Sequence, residues 1–159
     1  MSTETKAPGL VTKLVLHTQP SWTGLILRLT LALVIFPHGA QKVLGWYGGY
    51  GWSATMSYLT GAIGLPSALA ALVMLIEFLA PVALVLGLFT RGAVVGIAAV
   101  MIGAMMKVHL SNGFFMNWSN APARGEGYEY HLLVLGMALA LFFAGAGSCS
   151  LDKSIANRK

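Results

Sequence analysis

The chain has 159 residues, the length of one domain, of which 57% are hydrophobic and 9% charged, with a mean hydropathy of +0.74. Soluble domains carry roughly 25% charged residues, so this composition excludes them and describes an integral membrane protein. The net charge of +5 comes from dispersed basic residues with no stripe or arginine-rich arm, which excludes a nucleic-acid partner.

In chain order, Lys6 stands before, and Lys13 within, an apolar patch at 10–16. Arg28 interrupts the hydrophobic region beyond it and no A-x-A site follows. The patch therefore reads as a retained juxtamembrane segment, not a cleaved signal. Four windows are long and apolar enough to span a bilayer, at 22–44, 65–89, 92–110 and 128–146. They predict an all-α, antiparallel four-helix membrane bundle over 22–146, with an N-terminal segment at 1–21 and a cytoplasmic tail at 147–159. Spans two and three are joined by the minimal link Thr90-Arg91-Gly92, which forces a tight hairpin. The other links, 45–64 and 111–127, are rich in Gly, Asn and aromatics. Their indole and phenol rings favour the headgroup layer, which places both loops on one membrane surface. Basic residues gather on the other side, at Lys6, Lys13, Arg91, Lys153, Arg158 and Lys159. The positive-inside rule then puts both termini in the cytoplasm and the aromatic loops outside.

Five charges lie within or at the rim of these apolar windows: Arg28, Lys42, Glu77, Lys107 and Glu129. Hydrocarbon destabilises each by several kcal/mol unless it is paired, hydrated or raised to the interface. Membrane helices pack through small residues, so small-residue stripes predict which charges face inward. Gly92, Gly96, Ala99 and Gly103 continue to Lys107; Glu129 shares a stripe with Leu133, Gly136 and Ala140; Arg28 aligns with Ala32, Gly39 and Lys42. Glu77 sits on a mixed face with Ala70, Val73, Met74, Ala80 and Leu84. The alternative for Lys42 and Lys107 is snorkelling to the outer headgroups. Glu77 is too central for that and requires pairing, a proton or water. Arg28 lies about 7 Å from it in depth, so a structural Arg28–Glu77 pair is one expectation.

A second group gathers at the outer ends: His38, Gln41 and Lys42, then Lys107 and His109, then Glu129, Tyr130 and His131. Pro37 is expected to disturb the helix before His38. On helical phase, His109 and His131 are roughly 200° from Lys107 and Glu129 and are weaker candidates than His38. The four histidines form no HExxH or paired-His motif, so no metal site is expected. The lone Cys149 allows no disulfide exchange within the chain and reads as a small buried hydrophobe. The inner network counts three cations against two anions, which leans towards an anion or a partly ionised quinone head group.

The run RLTLALVIFPHGAQKVLGWYGG at 28–49, with Glu77 ten residues before the GLFTR hairpin at 87–91, resembles the DoxX family of small bacterial membrane proteins over roughly 22–146. The resemblance implies a four-helix bundle of the inner membrane, akin to subunits of a thiosulfate:quinone oxidoreductase. Two function classes stay open. In the first, the chain is a quinone-linked oxidoreductase subunit, acting alone or with a partner redox subunit. Glu77, His38 and Glu129 relay protons, while Arg28, Gln41, Lys42 and Lys107 bind a quinone or a small sulfur oxyanion. A haem variant would use His38 with His109 or His131 as axial ligands, and helical phase disfavours it. In the second, the chain is a carrier, sensor or assembly subunit that binds an anion or moves protons, which requires a homo-oligomer if it alternates access.

Overall fold

The structure is a computed structural model describing residues 20–157. Every regular element among them is helical. Helix α1 (Trp22–Val43) starts at Ser21, whose hydroxyl accepts from the Gly24 amide at 3.3 Å. It continues as one helix through Pro37, which has no N–H to donate to the preceding turn. A short helix α2 (Gly51–Ser57) and a π turn (Tyr58–Ala62) occupy the first long link. Helix α3 (Ser67–Leu86) and helix α4 (Thr90–Ala104) follow, and α4 continues through a π turn (Met105–His109) and a 3-10 turn (Leu110–Asn112). Helix α5 (Glu129–Ala144) and the short α6 (Leu151–Asn157) complete the described chain. The segment expected at 10–16, with Lys6, Lys13, Arg158 and Lys159, lies outside the described residues.

The principal packing runs from α1 to α3, α3 to α4, α4 to α5 and α5 back to α1, closing a ring of four helices. Its centre holds Leu31, Ile35, Leu84, Ile97, Val134 and Leu141. Three stretches are long and apolar enough to cross a membrane: Trp22–Val43, Ser67–Leu86 and Thr90–Asn112. Helix α5 has 16 residues, or about 24 Å, against a hydrocarbon core of about 30 Å. The fourth predicted window is thus an apolar helix short of a full span.

The tight link falls three residues earlier than expected, at 87–89. Gly87 ends α3 in the left-handed region at φ 61, where only glycine is comfortable, and the Leu88 amide reaches back to the Ala83 carbonyl at 2.9 Å. Phe89, at φ 52, takes the same conformation at a cost for a bulky residue. Asp152 from α6 holds it there. Its Oδ1 accepts from the Phe89 amide at 2.7 Å and its Oδ2 from the Thr90 amide at 2.9 Å. The expected cytoplasmic tail is therefore folded, within the described residues, onto the α3–α4 link. Asp152→Asn replaces one acceptor with a donor facing an amide at a helix N-terminus. A loss of about 1–2 kcal/mol is expected, measurable as a lower melting temperature in detergent with faster exchange of the Phe89 and Thr90 amides.

Arg28 belongs to this same end. It is fully buried, and Nη1 donates to the Leu84 and Val85 carbonyls, each at 2.7 Å. Nη2 donates to the Ser148 and Cys149 carbonyls at 3.1 and 2.9 Å. Arg91 likewise donates through Nε to the Phe142 carbonyl at 2.7 Å, at the last turn of α5. One end of the ring is thus tied shut by side chains that saturate backbone groups left over at helix termini. Cys149 is exposed at φ 53, contrary to the expected buried side chain; its carbonyl is the part that contributes.

Candidate functional site

At the other end, polar side chains converge without closing it. Lys42 on the last turn of α1 forms a salt bridge with Glu77 Oε2 on α3, where Glu77 is 4% exposed and Lys42 32%. The expected Arg28–Glu77 pair is not formed. Arg28 sits level with Leu84, seven residues and about 10 Å further along α3. Four carbonyls there occupy its guanidinium without needing a carboxylate.

Gly39 allows the Lys42–Glu77 pair to form. A Cβ at Gly39 would lie 2.6 Å from the Phe78 Cα and collide with the Glu77 carbonyl, so α1 and α3 touch backbone to backbone one turn below the pair. Gly39→Ala is expected to force the helices apart and cost about 2 kcal/mol, read as a drop in melting temperature.

His38, on the same turn, places its ring 5.9 Å from the ring of Tyr130, the second residue of α5. Tyr130 in turn meets His131 at 5.7 Å, and His131 meets His109 at 4.2 Å. Glu77 lies within electrostatic reach of both His38 and Tyr130. His109 comes from the π turn that ends α4, and its Nδ1 donates to the Glu126 carbonyl at 2.8 Å, which fixes that tautomer. All four helices of the ring therefore contribute to one cluster of an ion pair, three imidazoles and a phenol. Within it the Tyr130 hydroxyl and His131 Nδ1 are buried without a hydrogen-bond partner. Each such group costs about 1–3 kcal/mol, a penalty that is relieved where a ligand or water completes the bond.

Two clefts open beside the cluster. One, of about 570 Å³, lies under the first long loop and is lined by Gln41, Lys42, Gly49, Tyr50, Thr55 and Tyr58. Gln41 shapes it by donating to the Tyr47 carbonyl at 3.2 Å, and Gly49 packs directly on the Gln41 backbone, leaving no room for a Cβ. The other, of about 440 Å³, lies between the second long loop and α5, walled by Phe114, Trp118, Tyr130 and Leu133 among others.

Of the residues singled out from sequence, Glu77, His38, Gln41 and Lys42 come together. Arg28 is at the opposite end. Glu129 faces the second loop, where Oε1 accepts from the Met116 amide at 2.9 Å and Trp118 Nε1 at 2.8 Å. Lys107 is exposed on the π turn. The small-residue stripes misled for α4 and α5, because Ala99, Gly103, Leu133, Gly136 and Ala140 all face outward. The buried faces are Ala93, Val94, Ile97, Val100 and Met101, and His131, Val134, Ala138 and Leu141. His131 and His109 thus enter the cluster that helical phase had denied them. The π turn adds a residue to the last turn of α4 and rotates His109 away from the α-helical phase. For His131 the usable signal was the apolar spacing of Val134, Ala138 and Leu141. The sequence places Tyr130 at the outer end and assigns it no role.

Apolar helices of spanning length around a buried ion pair and a histidine–tyrosine cluster define a helical membrane protein with a polar interior site. The DoxX family model matches residues 23–110, more than half of the chain. This chain belongs to the DoxX family. It is 33% identical over 128 residues to the Bacillus subtilis protein named "Putative oxidoreductase CatD", covering 80% of this chain and 83% of that one. It is 34% identical over 129 residues to an uncharacterized protein of Haemophilus influenzae, covering 79% and 85%. No solved structure matches it.

Proposed function

We propose that this protein is a quinone-linked oxidoreductase subunit of the bacterial inner membrane that takes electrons from a small sulfur oxyanion. The observation that carries the reading is the Lys42–Glu77 pair standing beside an open cleft and next to His38 and Tyr130. Reducing a quinone to a quinol consumes two electrons and two protons. A carboxylate, an imidazole and a phenol in sequence are groups that pass protons, and the lysine offers a cation to an anionic donor. Within this reading the donor occupies the cleft under the first long loop, where Lys42 Nζ and the Gln41 amide line the wall. With thiosulfate as donor, two anions join through a new S–S bond and give up one electron each to the quinone, while the two protons of the quinol arrive through Glu77 and His38. The word oxidoreductase in the name of the Bacillus subtilis relative supports the same class.

The proposal includes an antiparallel bundle with both termini cytoplasmic and the aromatic loops outside. Trp46, Tyr47, Tyr50 and Trp118 are 53%, 65%, 86% and 85% exposed, as interfacial anchors are. The short α5 is accommodated by local thinning of the bilayer or by its flanking loops. The test is quinone reduction by the purified protein in lipid nanodiscs with thiosulfate and related oxyanions as donors. Donor-dependent formation of quinol is expected. Absence of reduction with every donor, in protein whose melting curve is intact, overturns the assignment of a self-sufficient redox subunit. Anion flux into proteoliposomes without donor or acceptor would instead establish a carrier.

A further inference from the structure

We propose that the cleft under the first long loop binds a small oxyanion only together with a proton, which Glu77 takes as the anion takes Lys42; this rests on the donor site placed there above. Among the described residues that line the cleft, Lys42 is the one cation. Thr55, Tyr50 and Tyr58 add hydroxyls to the same wall. Thr55 is 7% exposed, and its hydroxyl makes no hydrogen bond among the described residues. A nearly buried hydroxyl left open beside a lysine suits an anion whose oxygens accept from both. Gln41 is the remaining polar wall, and its amide nitrogen is engaged by the Tyr47 carbonyl at 3.2 Å.

The lysine is already engaged. Its ammonium is bonded to Glu77 Oε2, and the Lys42 side chain is 32% exposed against 4% for the carboxylate. Lys42 thus stands between the cleft and a carboxylate that has no other hydrogen-bond partner among the described residues. Its long flexible stem lets the ammonium turn from one to the other. An anion arriving from the cleft therefore competes with Glu77 for one positive charge. Two anions on one ammonium leave an uncompensated charge among apolar helices, which their interior disfavours strongly. A proton from solvent removes that conflict: the bound site holds the ammonium, the anion and a neutral Glu77. The other titratable groups within reach of Glu77 are His38 on α1 and Tyr130 on α5, with His131 and His109 behind them. Lys107, on the turn that ends α4, is exposed, and α3 carries no second charged residue. His38 is the first rival for the proton. Because binding takes up a proton, affinity rises as pH falls and weakens as pH rises.

The test is calorimetric titration of thiosulfate into the full chain in quinone-free phosphatidylcholine nanodiscs, in buffers of different ionisation enthalpy. The slope of observed heat against buffer enthalpy counts the protons taken up. About one proton per anion is expected, with affinity falling by up to about tenfold for each unit that the pH rises. Glu77→Gln should bind with no proton uptake and, at about pH 8, about tenfold more tightly than wild type, because no carboxylate competes for Lys42. Thr55→Val should weaken binding about fivefold, the value of one hydrogen bond, and leave the proton count unchanged. Lys42→Met/Glu77→Gln, which removes both charges of the pair together, should lose saturable binding. Binding to wild type without proton uptake overturns the proposal. Uptake that survives in Glu77→Gln does the same, since the proton then goes to His38 or another imidazole. Unchanged affinity in Thr55→Val and in the double variant overturns the placement in this cleft. No saturable binding to wild type overturns the proposal and the donor site together. One proton per anion, in protein that reduces no quinone with any donor, leaves the proposal standing and overturns the redox reading.

Discussion

Arg28→Gln is expected to lower the unfolding free energy of the bundle by about 3 kcal/mol, and to do so without touching the polar cluster. The guanidinium is fully buried and donates to four carbonyls, two at the end of α3 and two in the segment leading to α6. Hydrogen bonds to charged groups contribute about 1.5–3 kcal/mol in soluble proteins, while polar contacts between membrane helices average about 0.6 kcal/mol. Four bonds at one side chain fall between those limits. Glutamine has two donors and cannot reach both pairs, so carbonyls are left buried. Arg28→Lys keeps the charge but not the planar fork, and should recover less than half of the loss. The measurement is reversible unfolding in mixed micelles. Because Arg28 and Glu77 do not touch, Arg28→Gln and Glu77→Gln should be additive to within about 0.5 kcal/mol. A coupling above about 1 kcal/mol would reinstate the pair that the geometry rules out.

The second large effect belongs to Lys42 and Glu77, and it is asymmetric. Glu77 is nearly inaccessible and Lys42 is about one-third exposed. Lys42→Met strands a carboxylate in the bundle, and breaking a buried pair in this way costs about 3–5 kcal/mol in soluble proteins. Glu77→Gln strands an ammonium that can still reach water along its stem, so its cost should be smaller by at least about 1 kcal/mol. The double variant Lys42→Met/Glu77→Gln should be more stable than Lys42→Met alone. Function separates from stability in the same series. If Glu77 relays protons, Glu77→Gln should reduce quinone turnover by about 10²–10⁴-fold in protein that remains folded. Turnover within twofold of wild type would remove Glu77 from the relay and leave the pair a structural one.

Much of the fold was legible beforehand. Apolar windows of spanning length predicted α1, α3 and α4 to within a few residues, and the inward face of α1 followed from Arg28, Ala32, Gly39 and Lys42. The 28–49 run carried the family. The buried face of α3, with Ala70, Met74, Glu77, Ala80 and Leu84, was also read correctly. The site was only partly legible. Small residues predicted the wrong face for α4 and α5, because glycine and alanine are abundant enough to form outward stripes that bring no helix closer. The inward face of α5 is instead His131, Val134, Ala138 and Leu141.

What composition and periodicity determine here are one-dimensional properties: that the chain enters a membrane, where its helices lie, and that its charges need partners. Which partner each charge takes depends on axial offset, rotamer and helix phase, and these exist only once the helices are packed. Arg28 and Glu77 are close in nominal depth, yet the guanidinium lies about 10 Å along α3 and finds four carbonyls that no sequence pattern announces. Gly39 brings α1 against α3 so that Lys42 reaches Glu77, and one π turn swings His109 onto His131. Each of these is a contact between residues far apart in the chain, decided by a few ångströms of packing.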